Sequence, residues 1–116
     1  MVINGVEVSF NIAEEQSNKR VMKALQSISK DSEEAGGKEM YDQIHIVCSS
    51  VKNAFDYIFG SGTGEKICGK ENDLNVCANA FAELIEEKNR QDEILKQATL
   101  RLMTAVGGVE DERLPD

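Results

Sequence analysis

Apolar positions along this chain recur at helical spacing in three long runs, and the intervals between them are polar or rich in glycine. The widest stripe is Met40, Tyr41, Ile44, Val47, Cys48, Val51, Ala54, Phe55, Ile58 and Phe59, an i, i+3, i+4 series that predicts a core helix over 38–59. A second run, Leu74, Cys77, Ala78, Phe81, Leu84, Ile85, Lys88, Leu95, Ala98 and Leu102, predicts a helix over 73–104 with Asn72 or Asp73 as its N-cap. Within it, Glu86 to Glu93 holds no apolar residue, so the helix is expected to project past the core before Ile94 and Leu95 offer something to bury. A weaker run, Val21, Met22, Leu25 and Ile28, predicts a helix over 12–32 whose first turns, polar from Glu14 to Arg20, are lightly packed. Asn11 is placed to cap it, with Glu14 reaching back as in a capping box.

The remaining segments are punctuation. Asn4-Gly5 between Val2-Ile3 and Val6–Phe10 predicts a β-hairpin over 2–10, because the type I′ turn needs positive φ at both central residues. Its alternation Val6, Val8, Phe10 gives one apolar face, which must lie on the helices or pair with another chain, since an isolated hairpin is marginal in water. Gly36-Gly37 marks a linker, and residues 60–72 form a glycine-rich connector in which Thr63 to Cys68 makes one helical turn that tucks Ile67 inside. Gly60 is expected to end its helix in a left-handed conformation. The fold expected is thus mainly α: a three-helix core with a short N-terminal β-hairpin, one domain over residues 1–109. An acidic tail over 110–116 is expected to fray.

Composition narrows the functional classes. The chain has 116 residues and a net charge of −8, with −3 in residues 1–60 and −5 in residues 61–116, so neither half conceals a basic domain. Nucleic-acid binding, which needs cations to displace the counterions of phosphate, is disfavoured. The acidity serves solubility or faces a basic or aggregation-prone partner. No apolar run approaches the roughly 20 residues of a bilayer span, and the first residues lack a charged n-region and an apolar h-region. Three cysteines, irregularly spaced, do not resemble a secreted disulfide framework, so a cytoplasmic protein with reduced thiols is expected.

Candidate chemistry is thin. Gly64 to Lys70 fits the spacing G-x-x-x-x-G-K, but Glu71 stands where a P-loop needs Ser or Thr for Mg²⁺, and the preceding element reads as a helix rather than a strand. His45 and Cys48 share a helical face and Cys68 and Cys77 flank the connector, yet no C-x-x-C is present. The favoured reading makes Cys48 and Cys77 small core residues and His45 a surface residue. Ser49-x-x-Lys52 and Ser27-x-x-Lys30 lack the companion motifs of serine acylases. No enzyme, metal or cofactor is expected. What remains is amphipathicity with incomplete burial, which suits self-association or capture of a partner helix. The alternative is a solvated overhang laced by Glu86–Arg90 and Asp92–Lys96 pairs.

The stretch FDYIFGSGTGEKICGKENDLNVCANAFAELIEE resembles the tail assembly chaperones encoded in siphophages and Gram-positive prophages. An acidic-aromatic helix end (Phe55, Asp56, Ile58, Phe59) leads into Gly60, Gly62 and Thr63. A turn closing on Ile67 and Gly69 follows, and then a helix with Leu74, Cys77, Ala80, Phe81 and Leu84. Ile3-Asn4-Gly5-Val6 resembles the opening of members of that group. Cys68 departs from the pattern where an aromatic or aliphatic residue is expected, and Lys70-Glu71 replaces a second glycine. The resemblance implies a non-enzymatic protein of the host cytoplasm, absent from the mature virion. Such a protein binds the tape measure protein and keeps its long hydrophobic helices soluble during tail morphogenesis, and in this family a frameshifted form often recruits the tail tube protein. It implies an apolar partner-binding surface, for which Phe55, Phe59, Ile67, Phe81 and Leu84 are the candidates, exposed near the helix junction. A homo-oligomer is compatible with it, and a helical adaptor of another phage or bacterial complex is the alternative.

Overall fold

The hairpin forms where its turn chemistry demands. Asn4 at φ 48° and Gly5 at φ 79° connect β1 (Val2–Ile3) to β2 (Val6–Glu7) in an antiparallel pair, Val2 opposite Glu7 and Ile3 opposite Val6. The structure, a computed structural model, describes residues 1–108; the tail expected over 110–116 lies outside the described residues. Ile3 and Val8 are buried, and the Asn4 side-chain amide donates to the Ile67 carbonyl at 2.9 Å, so the hairpin lies against the helices.

Four helices follow: α1 (Glu15–Ala35), α2 (Met40–Phe59), α3 (Thr63–Cys68) and α4 (Leu74–Gly107). α1 starts three residues later than its polar leader suggested. Asn11 caps only a preliminary turn, accepting from the Ala13 amide at 3.0 Å, while Glu14 is the N-cap, its carboxylate accepting from Gln16 and Ser17. Those two amides hold the Glu14 carboxyl below its ordinary range. At the other end α1 runs on to Ala35, because Asp31 to Glu34 are compatible with a helix and burial of Ala35 retains the last turn before Gly36 and Gly37. α1 and α2 pack as an antiparallel pair, and Ala24 and Ile28 of α1 join Cys48, Val51 and Ala54 of α2 in one buried cluster. The buried Ser50 hydroxyl donates to Asp31 at 2.7 Å, a polar tie across the pair.

α2 ends at Gly60, whose φ of 117° and ψ of 154° lie outside the left-handed helical well, in a region open to glycine alone. The connector is then built on two side chains of α2. Asp56 accepts from the Gly64 amide at 2.7 Å, and the Lys52 ammonium donates to the Glu71 carbonyl at 2.9 Å and the Asn72 side chain at 3.0 Å. Gly64 lies directly on the backbone of Lys52, where a Cβ would overlap the Lys52 carbonyl, and this contact brings α3 down onto α2. Ile67 and Cys68 are thereby buried. Asp73 caps α4, accepting from the Asn75 amide at 2.9 Å.

α4 has 34 residues and is about 51 Å long at about 1.5 Å per residue, against a longest molecular dimension of 61 Å. Its first half packs on α2, α3 and the hairpin through Cys77, Ala80 and Leu84. Its second half extends away from the body. Among the described residues no helix is long and apolar enough to cross a membrane.

Candidate partner-binding surface

The five candidate residues separate into two groups. Phe55, Ile67 and Leu84 are buried, with Phe55 at 0% exposure, so they are core residues rather than the exposed surface expected of them. The reason is geometric: the α2 and α4 stripes meet where α3 folds beneath them, and the deepest position of each stripe fills that junction. Phe59 and Phe81 are half-buried against the same cluster. Phe59 stacks on Phe55 with ring centroids 6.0 Å apart and meets Phe10 at 6.1 Å in a tilted arrangement. It also borders a groove of about 390 Å³ between the hairpin and α3, with Val6, Val8, Ile58 and Lys66.

Larger apolar exposure lies elsewhere. Met40 and Tyr41, assigned from spacing to the α2 stripe, are exposed. On distal α4, Ile94, Leu100, Leu102, Met103 and Val106 are each about half exposed or more, reaching 66% at Leu102. The sequence hinted at this overhang through the polar interval 86–93, but Ile94 stays more than half exposed at the edge of the body and Leu95 is half-buried.

The base of the overhang is tightly organised. The Gln91 side chain accepts from the Ile12 amide at 3.0 Å and donates to the Phe10 carbonyl at 2.9 Å, so one amide clamps the segment between hairpin and α1. Gln91 also donates to Glu87 at 2.8 Å, and Arg90 grips the same carboxylate in a fork at 2.7 and 2.8 Å. The Arg90 bonds, then the Gln91 bond, hold the Glu87 carboxyl down to about 2. The expected Glu86–Arg90 and Asp92–Lys96 pairs are absent among the described ion pairs; Arg90 instead takes Glu87, and Asp92 takes Lys88 at 2.6 Å. Glu87 wins because its inward side also faces Gln91, so a single carboxylate serves both neighbours. Above this base a notch of about 230 Å³ opens between Phe10, Ile12, Ala13, Ile94 and Leu95.

The cysteines cluster in the core. Cys48, Cys68 and Cys77 are free and buried, and burial, reinforced by the neighbouring Cys77 thiol, pushes Cys48 and Cys68 up to about 12. Neutral thiols of this kind act as small apolar side chains. His45 is exposed, its Nδ1 3.3 Å from the Asn72 amide nitrogen and away from that cluster. Among the described residues no group of three or more His, Cys, Asp or Glu side chains is arranged to hold a metal ion. The P-loop spacing falls on a six-residue helix and a connector whose Lys70 carbonyl turns towards Lys52 at 3.3 Å.

No curated protein and no solved structure matches the chain. Residues 4–106, which run from the hairpin turn to the last turn of α4, match the model of a family of unknown function, DUF6673. The chain is a member of the DUF6673 family.

Proposed function

We infer that this protein is a tail assembly chaperone of a phage or prophage, a non-enzymatic protein that holds the tape measure protein soluble in the host cytoplasm and is left out of the finished virion. The observation that carries this reading is the exposed apolar face of distal α4, presented on a rigid helix by an acidic body. A long client helix with its own apolar stripe docks on such a face by helix-against-helix burial, at roughly 25 cal/mol per Å² of apolar area removed from water. The −8 net charge keeps the resulting complex dispersed. The resemblance over Phe55 to Leu84 supports the same reading, although most of the residues that carry it pack the junction. They build the platform from which α4 projects.

The test is co-expression with the very long, coiled-coil-rich protein encoded beside this chain. The expected result is a soluble long protein that co-purifies with this one. An insoluble long protein with no complex overturns the chaperone reading in favour of an adaptor for another assembly.

A further inference from the structure

Between α1 and α2 lies a trough of about 330 Å³, open to solvent. Its floor is Ala24 and Ala54, both buried, and its rims are Lys23 and Ser27 on α1 and Asn53 and Tyr57 on α2. Each rim pair is four residues apart, so the trough follows the helix axes. Tyr57 is 49% exposed and gives it an aromatic edge.

The trough sits in the most cationic part of an acidic chain. Residues 16–30 hold Lys19, Arg20, Lys23 and Lys30 and no acid, a net +4, so the rest of the chain carries −12 of the total of −8. No other stretch of that length reaches +4. Lys19, Lys23, Ser27 and Lys30 follow one another at spacings of four, four and three, which puts all three lysines on the trough side of α1. Among the described residues none of these four cations forms an ion pair. On α2 the facing stretch 43–55 also lacks acids. Asp31 and Asp56, which bound the two stretches, are turned to the Ser50 hydroxyl and the Gly64 amide.

The floor and the charge together select an occupant. Alanine methyl groups offer a backbone no hydrogen bonds, so a segment lying on them must satisfy its own N–H and C=O groups, as a helix does. The lysines then favour carboxylates beside its apolar stripe. We propose that the α1–α2 trough docks an acidic amphipathic helix of a partner protein, with an apolar side chain over Ala24 and Ala54 and carboxylates towards Lys19, Lys23 and Lys30. The inference goes beyond the chaperone reading and does not rest on it.

Fluorescence anisotropy of the full chain with two labelled peptides tests the docking. Both are alanine-based helices of about 20 residues with a leucine stripe, flanked in one by glutamates and in the other by lysines. The net charge of −8 draws the lysine peptide at long range, so a preference for the glutamate peptide reports a local site. The expected result is that the glutamate peptide binds more tightly and that salt weakens it. Lys23→Glu with Lys30→Glu weakens it roughly tenfold. Ser27→Trp, which fills the trough from an exposed position, abolishes it. Lys66→Glu with Lys70→Glu, an equal change of charge at exposed positions outside the trough, leaves it as it was. Circular dichroism melts of all three variants match the parent. A lysine peptide that binds as well or better overturns the proposal, as does equal weakening by the two double variants or binding that survives Ser27→Trp. A chain that dimerises without peptide and is made monomeric by Ser27→Trp puts a second copy in the trough and also overturns it.

Discussion

At the scale of single residues, the positions that matter most are those with no freedom to change. Gly64 separates α2 from α3 by the thickness of two backbones, and any side chain there meets the Lys52 carbonyl. Gly64→Ala is expected to lower stability by about 3 kcal/mol, the upper range for overpacking, in urea denaturation. Gly107→Ala, with nothing within 4 Å of its Cβ, changes stability little in the same measurement. Glu87 supplies the second residue-scale prediction. Its carboxyl is held from an ordinary 4.5 down to about 2 by the bonds from Arg90 and Gln91. A depressed folded value contributes stability that is complete above about 4.5 and is lost as the pH falls through about 2. Because Gln91 links Glu87 to the Ile12 amide, the amide shift of Ile12 is expected to titrate near 2 and not near 4.5. The three-residue spacing of Glu87 and Arg90 was visible in the sequence. That Glu87 and not Glu86 would take Arg90 was not, because the choice depends on the inward-facing Gln91.

At the scale of elements, α4 is two structures in one helix. Its proximal half is held by Cys77, Ala80 and Leu84, and beyond Asp92 it adds no buried residue, only the half-buried Leu95. A chain ended at Lys96 is therefore expected to keep its thermal midpoint within about 5 °C, read by circular dichroism. A larger drop would mean that the overhang supports the body. The hairpin shows the opposite dependence: two residues per strand are too few to stand alone, and the buried Ile3 and Val8 tie it to α3 and α4. Turn chemistry at Asn4-Gly5 made the hairpin legible, and the i, i+3, i+4 stripe made α2 legible to its last residue. The start of α1 was less legible because both Asn11 and Glu14 are competent caps, and the backbone between them settles the matter.

At the scale of the whole molecule, charge and shape act against each other. The body carries −6 in residues 1–92, and distal α4, with its apolar face, carries +1. The acidic body repels itself, so raising salt from about 0.05 to 0.5 M shortens the screening length and is expected to raise the thermal midpoint. Circular dichroism melts at the two salt concentrations read this directly. A lower midpoint at high salt would mean that ion pairing outweighs repulsion in this fold. The candidate site was legible in the sequence only in part: Phe59 and Phe81 lie half-exposed at the junction, but the greater apolar exposure lies on the overhang.

The local signals of this chain determined its elements: positive-φ turn residues placed the hairpin, and helical periodicity placed α2, α4 and the buried turn around Ile67. Such signals are written within a few residues of one another and need no distant partner. Burial is a different matter, since Phe55, Leu84 and Leu102 all sit on well-formed apolar stripes and are indistinguishable by spacing. Only the tertiary structure decided that the first two meet across the α2–α4 junction while the third extends beyond the ends of its neighbours. Burial is fixed by where elements end relative to one another, and that distance is set by packing across the chain rather than along it.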